Sequence, residues 1–318
     1  MIKYIIKRLL QSIPLLILIT VICFILINIA PYDAVDAITT PNMKQEEIDA
    51  RREEYGLDKP IITQYTSWVK NFVKGDFGYS IITRTSIKHD LVERVPATVA
   101  LILPAYLISY FISTVLGLIS GSNKGKRLDK MIDGICSIGI AVPTFWFAMI
   151  VIYLFAYKLR ILPLMGMYSM GKEGNFIDYL YHLILPTMVL IVGYVPDITR
   201  YVRNSTIIQM NEEYVLVQKA FGASKSEILL KHVAKNVLLP IVTKMGMSLP
   251  LLITGAVITE TIFSWPGMGN YFVTAIQNMD YPVIMAVLVL SGSLTIIGNL
   301  LSDIMYGLID PRIRYRGQ

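Results

Sequence analysis

Four stretches of this chain contain no Asp, Glu, Lys or Arg: residues 9–29, 97–120, 134–157 and 283–301. A helix needs about 20 mainly apolar residues to cross the hydrocarbon core of a bilayer. Each stretch is therefore expected to be a membrane span, and the last can run on past Asp303 to Leu308. Two further segments are long enough but less clean. Residues 183–202 carry Asp197 and Arg200, and residues 237–262 carry Lys244 and Glu260 near opposite ends. The expectation is an all-α polytopic membrane protein with six transmembrane helices. Composition agrees: only 16% of residues are charged, against about 25% in a soluble domain.

Orientation follows from Lys and Arg beside the spans. Lys3, Lys7 and Arg8 precede the first span; Lys124, Lys126, Arg127 and Lys130 follow the second. Arg203, Lys219, Lys225, Lys231 and Lys235 follow the fourth, and Arg312, Arg314 and Arg316 form the tail. With six spans all four clusters share one side, which places both termini in the cytoplasm. The net charge of +6 is then an orientation signal that also meets anionic lipid heads, and it does not argue for nucleic acid. Cys23 and Cys136 both fall in expected spans, so a disulfide framework is not expected. His89, His182 and His232 lie in three separate segments without metal-ligand spacing. The first apolar run exceeds a signal-peptide core and meets Pro31 where cleavage would fall, so it is expected to be retained as a helix.

Three regions result: residues 1–30, the N-terminus and first span; 31–96, an external cap; and 97–318, a five-helix core with a cytoplasmic loop at 203–240. In the cap, residues 43–55 are polar enough for a surface helix. Ile61, Tyr65, Trp68 and Phe72 recur at helical spacing, which predicts an amphipathic helix. The external loop at 158–182 contains a decoy. Gly166 to Lys172 matches most of a phosphate-binding loop, but Glu173 stands where that loop needs Ser or Thr, and no strand precedes it. The chain also shows no nucleophile–base pairing with supporting context. ATP hydrolysis is therefore not expected of it.

The cytoplasmic loop is the informative segment. Asn211 is expected to cap a short helix. Glu212 and Glu213 suit that helix's positive end, and Lys219 its negative end. Gly222 supplies a left-handed stop, and Ser224 with Glu227 forms a capping box that opens a second helix towards Pro240. Tyr214, Val215, Leu216, Val217 and Phe221 cannot all face one core. Spacing alone leaves two readings open: a helix resting on lipid heads, or a docking element for a soluble partner.

The segment resembles the cytoplasmic "EAA loop" of bacterial ABC-importer permeases, in the form found in the oligopeptide/dipeptide/nickel branch. The matching positions are Glu213-Tyr214-Val215, Ala220-Phe221-Gly222 and Asn236 through Pro240; Leu216 stands where the general EAA pattern has its acid. Gly75 to Ser80, Glu93 to Thr98, Pro143-Thr144-Phe145-Trp146, Glu260 to Gly269, Asp303 and Asp310 to Arg314 are similar to other family segments, in order along nearly the whole chain. The resemblance implies a type I importer permease fold in the bacterial inner (plasma) membrane. It implies a second homologous permease, two cytoplasmic ATPases that supply ATP and Mg, and an extracytoplasmic binding protein that delivers substrate. No cofactor is implied in this chain. Glu213, Tyr214, Val215, Ala220, Phe221, Gly222 and Ala223 become the expected ATPase-coupling residues. Peptide and nickel permeases share these motifs, so the cargo is an oligopeptide, a dipeptide or another small solute such as nickel. A secondary transporter is the competing class, distinguished by uptake without ATP.

Within the spans, Asp197 and Glu260 are the candidate pathway or gate residues. Asp197 stands three residues before Arg200, a spacing that favours a local pair, although an acid in a span also marks a functional site. Glu260 stands to gate the outer mouth or to cap the turn after it. Lys244 is expected to snorkel to the inner interface. Gly246, Ser248, Gly255 and Ala256 are expected to permit close helix approach.

Overall fold

A computed structural model of the chain describes residues 2–29, 35, 39, 42–54, 56–248 and 255–309. They are mostly helical, and among them no strand forms beyond one isolated bridge between Tyr79 and Ser86. In chain order the helices are α1 (Ile2–Ile29), α2 (Gln45–Glu54), α3 (Ile61–Val73), α4 (Ile87–Ser122), α5 (Arg127–Ala141), α6 (Thr144–Val151, continued by a wider π segment over Ile152–Lys158) and α7 (Phe176–Met210). There follow α8 (Glu213–Ala220), α9 (Lys225–Glu227), a π segment over Ile228–Val233, and α10 (Ala234–Met247). The last are α11 (Val257–Ile262), α12 (Met268–Gln277) and α13 (Tyr281–Ile309).

Among the described residues three helices are long and apolar enough to cross a membrane: α4, α7, and α13 over Tyr281–Leu301. A fourth candidate is α5 with α6, where the span expected over 134–157 is sharply bent. The two helices meet at 93°. Pro143 disfavours helical geometry in the residue before it, and Val142 is extended at φ −82°, ψ 119°. The expected first span is α1, whose apolar stretch is Leu10–Ile25. The expected fifth span has its two ends in α10 and α11, and its middle, residues 249–254, lies outside the described residues. So does the tail motif at 310–314.

The tightest seam joins α4 to α7. A Cβ added at Gly117 would fall 2.5 Å from the Val202 Cβ, and one at Gly121 would fall 2.6 Å from the Thr206 Cβ. Small residues let backbones approach in this way where lipid gives helices no hydrophobic push towards one another. Gly139 of α5 meets Pro196 of α7 similarly, at 2.6 Å. Of the small residues expected to permit close approach, Gly255 does so in a left-handed turn (φ +73°), where an added Cβ would fall 2.6 Å from both the Glu260 carboxylate and the Gly269 backbone N.

The two helices expected within residues 43–74 form, as α2 and α3. The amphipathic α3 lies on α1: the Tyr65 ring meets Phe24 edge-on at 5.4 Å, and the Tyr65 hydroxyl is 2.8 Å from that of Thr20. The decoy loop is closed off by a carboxylate. Asp178, in the first turn of α7, accepts the Ser169 N–H at 2.6 Å and its hydroxyl at 2.9 Å, and lies 3.7 Å from Lys172 Nζ. A loop whose donors and cation already hold a carboxylate is not free to hold phosphate.

Candidate functional site

The loop expected on the cytoplasmic side is organised around α8. Asn211 does not open this helix. It closes α7, which runs unbroken through the expected fourth span to Met210. The residue before α8 is Glu212, extended at φ −72°, ψ 151°, so the chain turns a tight corner between the two helices. The reason is length: α7 has 35 residues, or about 52 Å at 1.5 Å per residue, against a hydrocarbon core of about 30 Å.

The far end of α8 matches expectation. Gly222 takes φ +80°, a conformation that costs a side-chain-bearing residue about 1–2 kcal/mol. Its N–H donates to the Lys219 carbonyl at 3.0 Å, and the Ala223 N–H donates to the Gln218 carbonyl at 3.1 Å. Ser224 Oγ then accepts the Glu227 N–H at 3.2 Å and opens α9. The Glu227 carboxylate takes Lys231 at 2.7 Å, and that hydrogen bond holds its pKa below the usual carboxylate range. From Lys225 to Met247 the backbone stays right-handed helical through both junctions. The second loop helix and the start of the expected fifth span are thus one rod.

The structure divides the α8 side chains between two faces. Val215 is fully buried, in a core with Leu118, Ile198, Val202, Ile228 and Val233, and Tyr214 and Ala223 pack against it. Leu216, Val217 and Phe221 face outward, with Phe221 84% exposed. Glu213, Ala220 and Gly222 are exposed beside them. The seven sequence-derived residues therefore fall into two groups, one packed into the bundle and one presented on the surface. Gln209 was not among them. Its side-chain oxygen accepts the Tyr214 hydroxyl at 2.9 Å and the Asn236 amide at 3.2 Å, tying α7, α8 and α10 together. The Asn and Tyr positions of the motif thus acquire a physical reason in one shared acceptor.

A second feature beneath α8 escaped sequence reasoning. Asp129, 2% exposed, accepts the Ser120 hydroxyl at 2.6 Å and the Gly125 N–H at 2.7 Å. It also takes both Arg203 Nε at 2.6 Å and Nη2 at 2.8 Å, a two-pronged ion pair. One turn along, Arg200 reaches Asp133 at 3.2 Å and Ser137 at 2.6 Å. Lys225 Nζ reaches the Asn123 side chain at 2.9 Å. The C-terminal parts of α4 and α7 and the N-terminal part of α5 are bolted together, and the α9 end is tied to them. The partners lie 74 positions apart, too far for any spacing rule to find.

The expected Asp197–Arg200 pair does not form, because Arg200 is drawn to α5. Asp197 instead binds Lys244 of α10 at 2.6 Å. Lys244 does not merely snorkel: its ammonium also lies 5.0 Å from the Tyr201 ring centroid. Glu260 is fully buried and serves as a cap. It accepts Thr98 Oγ1 at 2.9 Å and the N–H groups of Gly269 at 2.7 Å, Asn270 at 3.3 Å and Ala256 at 3.3 Å. The adjacent Trp265, also fully buried, donates its indole N–H to the Ala97 carbonyl at 2.9 Å. The motif around Glu260 thus builds the turn between α11 and α12 and staples it to α4. Among the described residues no cluster of three or more His, Cys, Asp or Glu is arranged to hold a metal ion.

Comparison with known proteins bears on what such a surface serves. Residues 113–315 match the family described as binding-protein-dependent transport system inner membrane component. Residues 1–102 match the N-terminal region of binding-protein-dependent transport system membrane components. The oligopeptide transport system permease protein AppB of Bacillus subtilis is 38% identical, over 99% of this chain and 100% of that protein. The di/tripeptide transport system permease protein DppB of Pseudomonas aeruginosa is 33% identical, over 99% and 100%. The dipeptide transport system permease protein DppB of Escherichia coli is 32% identical over the same shares.

Proposed function

The chain belongs to the family of binding-protein-dependent transport system inner membrane components, and from that premise we propose that it is the permease subunit of an ATP-driven importer of oligopeptides or dipeptides. It is a multi-pass protein of the inner membrane. In this reading six spans, with both termini in the cytoplasm, form half of the transmembrane pathway, and a second homologous permease forms the other half. Two ATPases hold ATP and Mg, an extracytoplasmic binding protein delivers the peptide, and this chain performs no catalysis of its own. The names borne by its relatives support a peptide cargo.

The observation that carries the reading is the division of α8. Leu216, Val217 and Phe221 stand exposed on a helix whose other side is fixed by Val215, Tyr214 and Gln209. An anchored helix with an apolar outer edge is a coupling element: a partner seated on that edge moves α8, and α8 moves the helices that hold it. The partner's motion then biases the bundle between two states. Glu213, Ala220, Phe221, Gly222 and Ala223 contact or shape the seat, while Tyr214 and Val215 hold it to the bundle.

The test is reconstitution with the ATPases, partner permease and binding protein. Burying an apolar side chain of this size is worth about 1.5–3 kcal/mol. Phe221→Asp is therefore expected to weaken ATPase co-purification by about tenfold or more and to abolish peptide-stimulated hydrolysis, while leaving membrane insertion intact. Glu213→Lys is expected to act in the same direction. Full ATPase binding and uptake in both variants would show that this edge is not the seat.

A further inference from the structure

The Asp197–Lys244 pair lies in the expected fourth and fifth spans, yet the Asp197 side chain is 73% exposed and that of Lys244 33%. Charges at this level in contact with lipid are costly, so they face protein or a water-filled cavity. Asp197 belongs to a polar stripe. Tyr194, Asp197, Tyr201 and Asn204 are spaced three and four apart on one face of α7, and the last three are exposed. The stripe is about 15 Å long at 1.5 Å per residue. At its outer end Tyr194 and Gly193 line a cavity of about 380 Å³, bounded across from them by Thr144 of α6 and the start of α11. The stripe therefore continues from a cavity at the α5–α6 break towards the cytoplasm, with one ion pair set across it.

That pair is suited to being opened. An ion pair in contact with water is worth about 0–1 kcal/mol, so exchanging partners costs little. A free peptide carries an ammonium at one end and a carboxylate at the other, the same two charges that the pair presents. We propose that Asp197 and Lys244 form a charge-exchange site on the translocation path. Asp197 accepts hydrogen bonds from the peptide's α-ammonium, Lys244 donates to its α-carboxylate, and the pair re-forms behind the departing peptide. The exposed Tyr201 ring lies beside the pair and offers a face to the peptide's ammonium once Lys244 moves away. This deepens the importer reading and rests on it.

The test uses the assembled complex in proteoliposomes, supplied with trialanine. Asp197→Asn and Lys244→Met are each expected to cut uptake per assembled complex about tenfold, the worth of one hydrogen bond to a charged group. Exchanging the two residues, Asp197→Lys with Lys244→Asp, is expected not to restore uptake, because the path would present its charges in the wrong order. Restoration by the exchange would show that the pair only holds α7 to α10, and wild-type uptake in both single variants would show that it does nothing in transport; either result overturns the proposal. A second measurement does not depend on those variants assembling. With Cys23 and Cys136 replaced, Tyr201→Cys is expected to react with a charged methanethiosulfonate in native membranes, more slowly when saturating trialanine is being transported. A cysteine there that never labels would place the stripe against protein or lipid and overturn the site. If the wild-type complex takes up no peptide, the importer reading fails first, and the labelling still reports whether the stripe is wet.

Discussion

Asp129 and Glu260 are both carboxylates removed from water, and each is surrounded by donors drawn from more than one element. Glu260 gathers one hydroxyl and three backbone N–H groups at the turn between α11 and α12. Asp129 gathers a hydroxyl, an N–H and a guanidinium where α4, α5 and α7 meet. Removing one side of a buried pair leaves the other charge uncompensated, which costs more than the pair contributes. Asp129→Asn is therefore expected to destabilise the protein by about 3 kcal/mol, read as an earlier thermal transition in detergent. Arg203→Lys, which keeps the charge but loses the two-pronged geometry, is expected to have a smaller effect. An unshifted transition in both would show that the clamp carries no stability. Nothing near Asp129 in the sequence announces this part, since Arg203 arrives from another helix.

Among the elements, α4 and α7 form the frame on which the loop is mounted. Their seam depends on Gly117 and Gly121, where any side chain would overlap Val202 or Thr206. Overpacking of this kind usually costs about 1–3 kcal/mol, occasionally more. Gly117→Leu is expected to reach the upper end of that range, read by thermal unfolding in detergent, because the obstacle is a β-branched side chain beside backbone. Gly134, with open space around its Cβ position, is the control: Gly134→Ala is expected to leave stability unchanged or slightly raised. The α5–α6 break is the element that periodicity hid. Residues 134–157 read as one span because hydropathy counts apolar residues and is blind to direction; only Pro143 signalled the bend.

At the scale of the molecule, the external cap and the cytoplasmic loop lie at opposite ends of the bundle in the six-span reading. A cysteine at Lys172 is then expected to react with a membrane-impermeant thiol reagent applied to the outer face, and one at Ser226 only from the cytoplasmic face. The reverse pattern, or labelling of both from one side, would refute the orientation. The loop's construction also explains how an event at the surface can reach the spans. The α7 helix runs without a break to the corner at Asn211, and the rod from Lys225 to Met247 packs back against it. With Gln209 bonded to both α8 and α10, α8 cannot shift without moving one of them.

Charge-free length, the distribution of Lys and Arg, and the local capping chemistry at Gly222 and Ser224 are properties of short contiguous segments, and the sequence alone determined them: a membrane protein, its expected sidedness, and a helix–break–helix loop on one face. The resemblance of that loop was legible for the same reason, since its motif residues are neighbours in the chain. Tertiary structure decided what depends on which helices meet. It turned Asp197 from Arg200 to Lys244, made Glu260 a cap, gave the close seams to Gly117, Gly121 and Gly139, and sorted Val215 inward from Phe221 outward. Each of these outcomes is a choice among partners far apart in sequence, made when helices pack and buried polar groups must find the nearest donor or acceptor.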